Sequence, residues 1–132
     1  MCKVGDIILV SDYTSNGVQL GRHSFVVVSD ENGKIGSLDY DIVTSVLSSF
    51  KSEEHKQKKL KYPGNYLIEN TDTVTVPDNG KSGYLKVDQL FFFNKEKLSY
   101  THIGYVKPEI MKSIFEYIEN MGIQPTLITD NL

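Results

Sequence analysis

The side chains able to do chemistry fall in three short stretches of this chain. Arg22-His23 runs into the apolar stretch Phe25-Val26-Val27-Val28, so both residues are expected at the exposed mouth of a buried strand. His23 is the only histidine beside an arginine, and close approach of the two charges would depress its pKa. Ser48-Ser49-Phe50 closes a second apolar stretch. Lys86-Val87-Asp88 alternates along a predicted strand, which puts Lys86 and Asp88 on one face. Each has an ordinary explanation: polar loop residues, a strand-end hydroxyl satisfying the backbone, a surface ion pair worth little. Taken together, the inventory suits metal-free RNA cleavage by the RNA's own 2′-OH. That reaction needs a base for the 2′-OH, an acid for the departing 5′-oxygen and cations for the phosphorane. No HExxH, GxSxG, glycine-rich phosphate cradle or paired-glutamate arrangement is present, and neither a metal nor another cofactor is expected.

The charge distribution bears on the same question. The 132 residues carry a net charge of −3, which by itself argues against a nucleic-acid partner. Residues 51–61, KSEEHKQKKLK, hold +3, leaving −6 on the remainder. A solvated face is the commoner meaning of such a block; an electrostatic footprint for a polyanion is the functional one. With only Leu60 apolar, the segment has no face to bury and is expected to project as a basic loop.

The elements that must position these groups are mostly short strands. Ile7-Ile8-Leu9-Val10 is a buried-type run, and Asn16-Gly17 marks a turn in the loop that follows. Residues 30–34, DENGK, read as a hairpin turn into a strand over 35–47. Tyr62-Pro63-Gly64-Asn65 and Pro77-Asp78-Asn79-Gly80 are further turns, and strands are expected over 66–68, 73–76 and 84–93. Met111, Ile114, Phe115, Ile118 and Met121 recur at helical spacing; Pro108 suits the first turn and Gly122 the position past the end. Seven strands and one helix over 108–121 predict a mainly β protein: one domain over 1–132, a small bent barrel or sandwich with a C-terminal α-helix. The residues 124–132 are either disordered or a cap on the barrel. No stretch reaches the ~18 apolar residues of a membrane span. The N-terminus lacks signal-peptide layout, and the lone Cys2 can form no internal disulfide, so a cytoplasmic protein is expected.

In their order, these pieces resemble the MazF/PemK family of toxin endoribonucleases. Val4-Gly5-Asp6-Ile7-Ile8-Leu9-Val10 is similar to the family's opening, and residues 21–29, GRHSFVVVS, to its Gly-x-Arg-Pro-x-Val-Val-x-Ser block. Val46-Leu47-Ser48-Ser49 resembles the strand ending in a Thr/Ser pair. Residues 83–89, GYLKVDQ, resemble the Gly-x-x-[Arg/x]-x-Asp-Gln segment, and Ile103-Gly104 before a terminal helix matches the close. The resemblance implies an SH3-like barrel of the CcdB/PemK type, usually a homodimer, that cuts single-stranded mRNA without metal. A cognate antitoxin, protein or RNA, would neutralise it. It further implies catalytic roles for Arg22, His23, Ser48, Lys86 and Asp88. Without gaps His23 falls at the family's catalytic Arg, and Ser24 replaces its Pro. Either Arg22 supplies the guanidinium with a one-residue shift, or His23 takes an acid–base role. Ser49, His55, Lys56, Lys58, Lys59 and Lys61 are the expected RNA contacts. Two alternatives stand beside this reading: a non-enzymatic CcdB-like toxin acting by protein contact, and an RNA-binding regulatory module without cleavage.

Overall fold

A computed structural model describes residues 2–76 and 81–132. The expected turn at residues 77–80 lies outside the described residues. The chain is mainly β, with a curled, largely antiparallel sheet forming half a barrel and a helix near the C-terminus. In chain order the strands are β1 (Asp6–Val10), β2 (Tyr13–Ser15), β3 (Val18–Leu20), β4 (His23–Ser29), β5 (Gly33–Ile35), β6 (Leu38–Tyr40) and β7 (Ile42–Ser49). Helix α1 (Glu53–Leu60) separates these from β8 (Asn65–Ile68), β9 (Thr73–Thr75), β10 (Gly83–Lys86), β11 (Gln89–Phe93) and β12 (Tyr100–Val106). Helix α2 (Pro108–Asn120) and β13 (Thr126–Ile128) complete the order.

The central sheet runs β13-β11-β7-β4-β1-β12-β9. Its middle strands are buried on both faces, which is why they read as continuous apolar runs rather than alternating ones. On one face Ile8, Phe25, Val27, Ile42, Phe91 and Phe93 form a core with edge-to-face aromatic contacts. On the other, Ile7, Val26, Leu85 and Val106 meet Met111 and Ile114 of α2. Register shifts between Ile7 and Ile8 and between Val27 and Ser29 mark irregularities of the kind that bends a sheet.

The helix α2 follows the expected pattern, with Pro108 in its first turn and Gly122 past its end at φ 69°. One position differs: Phe115 is 37% exposed, because Met111 and Ile114 occupy the narrow seam against the sheet. Asn16-Gly17 is the tip of the β2–β3 hairpin, at φ 51° and 81°. The DENGK segment does not turn directly into a long strand. It leads into a separate small hairpin, β5–β6, and β4 then pairs with β7.

Two expectations are corrected, and the alternative for residues 124–132 is decided. The basic segment is a helix, not a loop: Ser52 caps it by accepting the His55 N–H at 3.0 Å. Glu53 and Glu54 lie at its positive end and Lys58 and Lys59 at its negative end. These local interactions form the helix although it buries no residue. The residues 124–132 are ordered: β13 pairs in parallel with β11, and Asn131 makes two hydrogen bonds to the Thr14 backbone.

The second correction concerns the strand expected over 84–93. It is two strands, both opposite β7: Gly83-Tyr84-Leu85 face Ser49-Ser48-Leu47, and Phe91-Phe92-Phe93 face Thr44-Val43-Ile42. Between them Val87 and Asp88 leave the β7 ladder while staying buried. The Val87 N–H donates to the Gly64 carbonyl at 2.9 Å, and the Asp88 carbonyl accepts from Thr126 N–H at 2.8 Å. The sheet therefore forks, with β8 continuing from β10 and β13 from β11. The strand between Lys86 and Asp88 is broken at the fork, yet the two residues line one cavity there, as expected of neighbours.

Gly83 lies opposite Ser49, where any Cβ would collide with the Ser48 carbonyl oxygen. Gly83→Ala must push two hydrogen-bonded backbones apart. A loss of about 2–3 kcal/mol, the upper part of the overpacking range, is expected in urea unfolding. No loss would show that the strands separate freely there.

Candidate active site

Pairing β4 with β7 brings the two most suggestive sequence features together. Ser24 faces Leu47 in the ladder, so His23 and Ser48 lie at adjoining ends of the two strands. His23 Nε2 is 3.1 Å from Ser48 Oγ. The imidazole is half-buried and packs edge-on to Tyr13 and Phe25. Burial lowers its pKa below 6.5, and the positive charge of Lys86 lowers it further. The depression expected for His23 is thus present, but its causes are burial and Lys86 rather than Arg22.

The pair opens into a pocket of about 580 Å³. Arg22, Lys51, Lys59, Lys81 and Lys86 line it, with no carboxylate among the described lining residues. Phe50 and Tyr84 form one wall, their rings stacked at 5.3 Å, with His55 edge-on to both. Lys51 N–H donates to His55 Nδ1 at 3.0 Å, which leaves the proton of neutral His55 on Nε2. Partial desolvation followed by Lys59, Lys51 and Lys58 lowers the His55 pKa, so the neutral form predominates near pH 7.

Of the other sequence candidates, Ser49, His55 and Lys59 line this pocket. Lys56 sits instead over the Phe50 ring, 5.8 Å from its centroid. Lys58 lines a neighbouring pocket at the sheet fork, and Lys61 is the exposed residue that ends α1. Asp88 is also at the fork, where its Oδ2 accepts the Tyr62 hydroxyl at 2.7 Å. That hydrogen bond, then the carboxylate charge, raises the Tyr62 pKa above 10.0.

Sequence reasoning missed Lys51 and Lys81 as individual pocket residues, and the aromatic wall of Phe50 and Tyr84. The available signal for Lys51 was its place between the end of β7 and the Ser52 cap, with its N–H bonded to His55 of the helix. No protein-family model matches the chain, and no curated protein or solved structure matches it. Among the described residues, no helix is long and apolar enough to cross a membrane.

Proposed function

We propose that the protein is an endoribonuclease of the MazF/PemK type that cuts single-stranded RNA. The observation that carries the reading is the His23 Nε2–Ser48 Oγ contact inside a pocket whose described lining holds several cations and no carboxylate. Phosphate is the ligand such a lining attracts, whereas a divalent ion prefers carboxylates. The half-buried, largely neutral His23 is the base for the 2′-OH. Ser48 holds the imidazole and the scissile phosphate in register. Arg22 and Lys86 stabilise the charge that builds on the phosphorane oxygens. The 2′-oxygen attacks phosphorus as its proton passes to His23, and the bond from phosphorus to the 5′-oxygen breaks. The departing oxygen meets the Nε2–H of His55 and is protonated from solvent. A 2′,3′-cyclic phosphate and a 5′-OH result. A homodimer, and a cognate antitoxin that covers the pocket, belong to the same reading.

The test is purified protein incubated with single-stranded RNA in EDTA, with the product ends identified by mass spectrometry. Fragments bearing a cyclic phosphate and a 5′-OH are expected. RNA that is bound but uncut would instead support the regulatory-module reading. Neither binding nor cutting would favour a toxin that acts by protein contact.

A further inference from the structure

The fork in the sheet holds a second cavity, of about 380 Å³, beside the His23–Ser48 pocket. Lys59 and Lys86 line both cavities, so the two share a cationic wall. A strand whose phosphate rests on these lysines would lay one nucleotide into each cavity. Resting on the RNA reading above, we propose that the fork cavity is a base-reading subsite selective for guanine.

Asp88 carries the argument. Among the described residues it is the only carboxylate lining the cavity, and it is 8% exposed. The Tyr62 hydroxyl holds Oδ2, and Gly64 packs so closely that a Cβ there would lie 2.5 Å from the Asp88 carboxyl carbon. The carboxylate is therefore fixed, and it presents acceptors only. Guanine alone among the four bases offers two adjacent donors, N1–H and N2–H, on its Watson–Crick edge. Adenine, cytosine and uracil each set an acceptor next to the donor, which would oppose a carboxylate oxygen. In single-stranded RNA that edge is free to be read. Tyr62 is 52% exposed at the rim, giving the base a ring to stack on, and Gln89 lines the same cavity. The role deduced for Asp88 is thus recognition of a base.

The test uses four 2′-deoxy trinucleotides that differ only in the central base and cannot be cleaved for want of a 2′-OH. Calorimetry is expected to show roughly 10-fold tighter binding of the guanine ligand, the scale of one good bidentate contact. Asp88→Asn places an amide N–H against the guanine donors, and the preference should fall below about 3-fold. Should that variant not fold, Tyr62→Ala removes an exposed ring and should weaken all four ligands by about 10-fold. Equal affinities for the four ligands, a guanine preference that survives Asp88→Asn, or unchanged affinities in Tyr62→Ala would each overturn the subsite. The two proposals fail separately. RNA cut without guanine preference removes the subsite and keeps the nuclease; guanine-selective binding with RNA intact in EDTA does the reverse.

Discussion

Replacing His23 with alanine is expected to slow RNA cleavage by roughly 10²–10⁴-fold, the usual contribution of a positioned general base. RNA affinity should change little, because the lysines and Arg22 that attract phosphate remain. The loss should therefore fall on kcat rather than KM. Single-turnover cleavage together with filter binding separates the two. A variant that still cuts at the original rate would remove His23 from the mechanism. The pH dependence has a definite sign. A base whose pKa is lowered loses its proton earlier, so cleavage should rise from acid with a midpoint below pH 6.5. Lys86→Met removes one of the two causes and should move that limb toward higher pH. Burial, the larger cause, remains, so the limb should stay below 6.5. Stability follows the same shift. The unfolded chain protonates His23 near 6.5 and the folded one only at lower pH, so His23 costs stability as pH falls below that value.

The largest effect on stability is expected at Phe25. Its side chain is fully buried and makes edge-to-face contacts with Tyr13, Phe91 and Phe93, at centroid distances of 4.9, 5.3 and 5.4 Å. Phe25→Ala removes the ring from a site whose strands are held by pairing on both sides and cannot collapse inward. A loss of about 3–5 kcal/mol is expected, which for a chain of this size lowers Tm by about 10–20 °C. Phe25 also packs against the His23 ring, so cleavage should fall even where the variant remains folded. Thermal unfolding followed by circular dichroism checks the first claim, and activity well below the new Tm checks the second. A drop of less than 1 kcal/mol would mean that the core closes over the gap.

The parts of the fold that could be read in advance are those governed by local pattern. The runs at 7–10 and 25–28 announce strands because both faces are buried, and the spacing of Met111, Ile114 and Ile118 announces a helix. Within the site, His23 and Ser48 were legible because each borders an apolar run, and antiparallel pairing then brings the ends together. Helix α1 was hidden because it has no apolar stripe; its signal is capping and dipole complementarity, which composition does not reveal. The break in the strand before Asp88 was hidden for a different reason. Its position depends on a fork held by Gly64 and Thr126, residues distant in sequence that no alternation rule anticipates. Phe115 shows the limit of periodicity, which finds the buried face but not its width.

The placement of β1 has a consequence for how the molecule is made. Its two neighbours are β4, about 17 residues downstream, and β12, which begins at Tyr100. A chain emerging from the ribosome can form the β4–β7 hairpin, and with it the His23–Ser48 contact, long before β12 is available. Until then one edge of β1 stays open, and Ile7 and Val26 lack their cover from α2. Such non-local closure is slow, on the order of milliseconds to seconds, and leaves an apolar edge exposed meanwhile. A truncation that ends before Tyr100 should therefore aggregate rather than yield a smaller working domain, and assembly must wait for the last quarter of the chain.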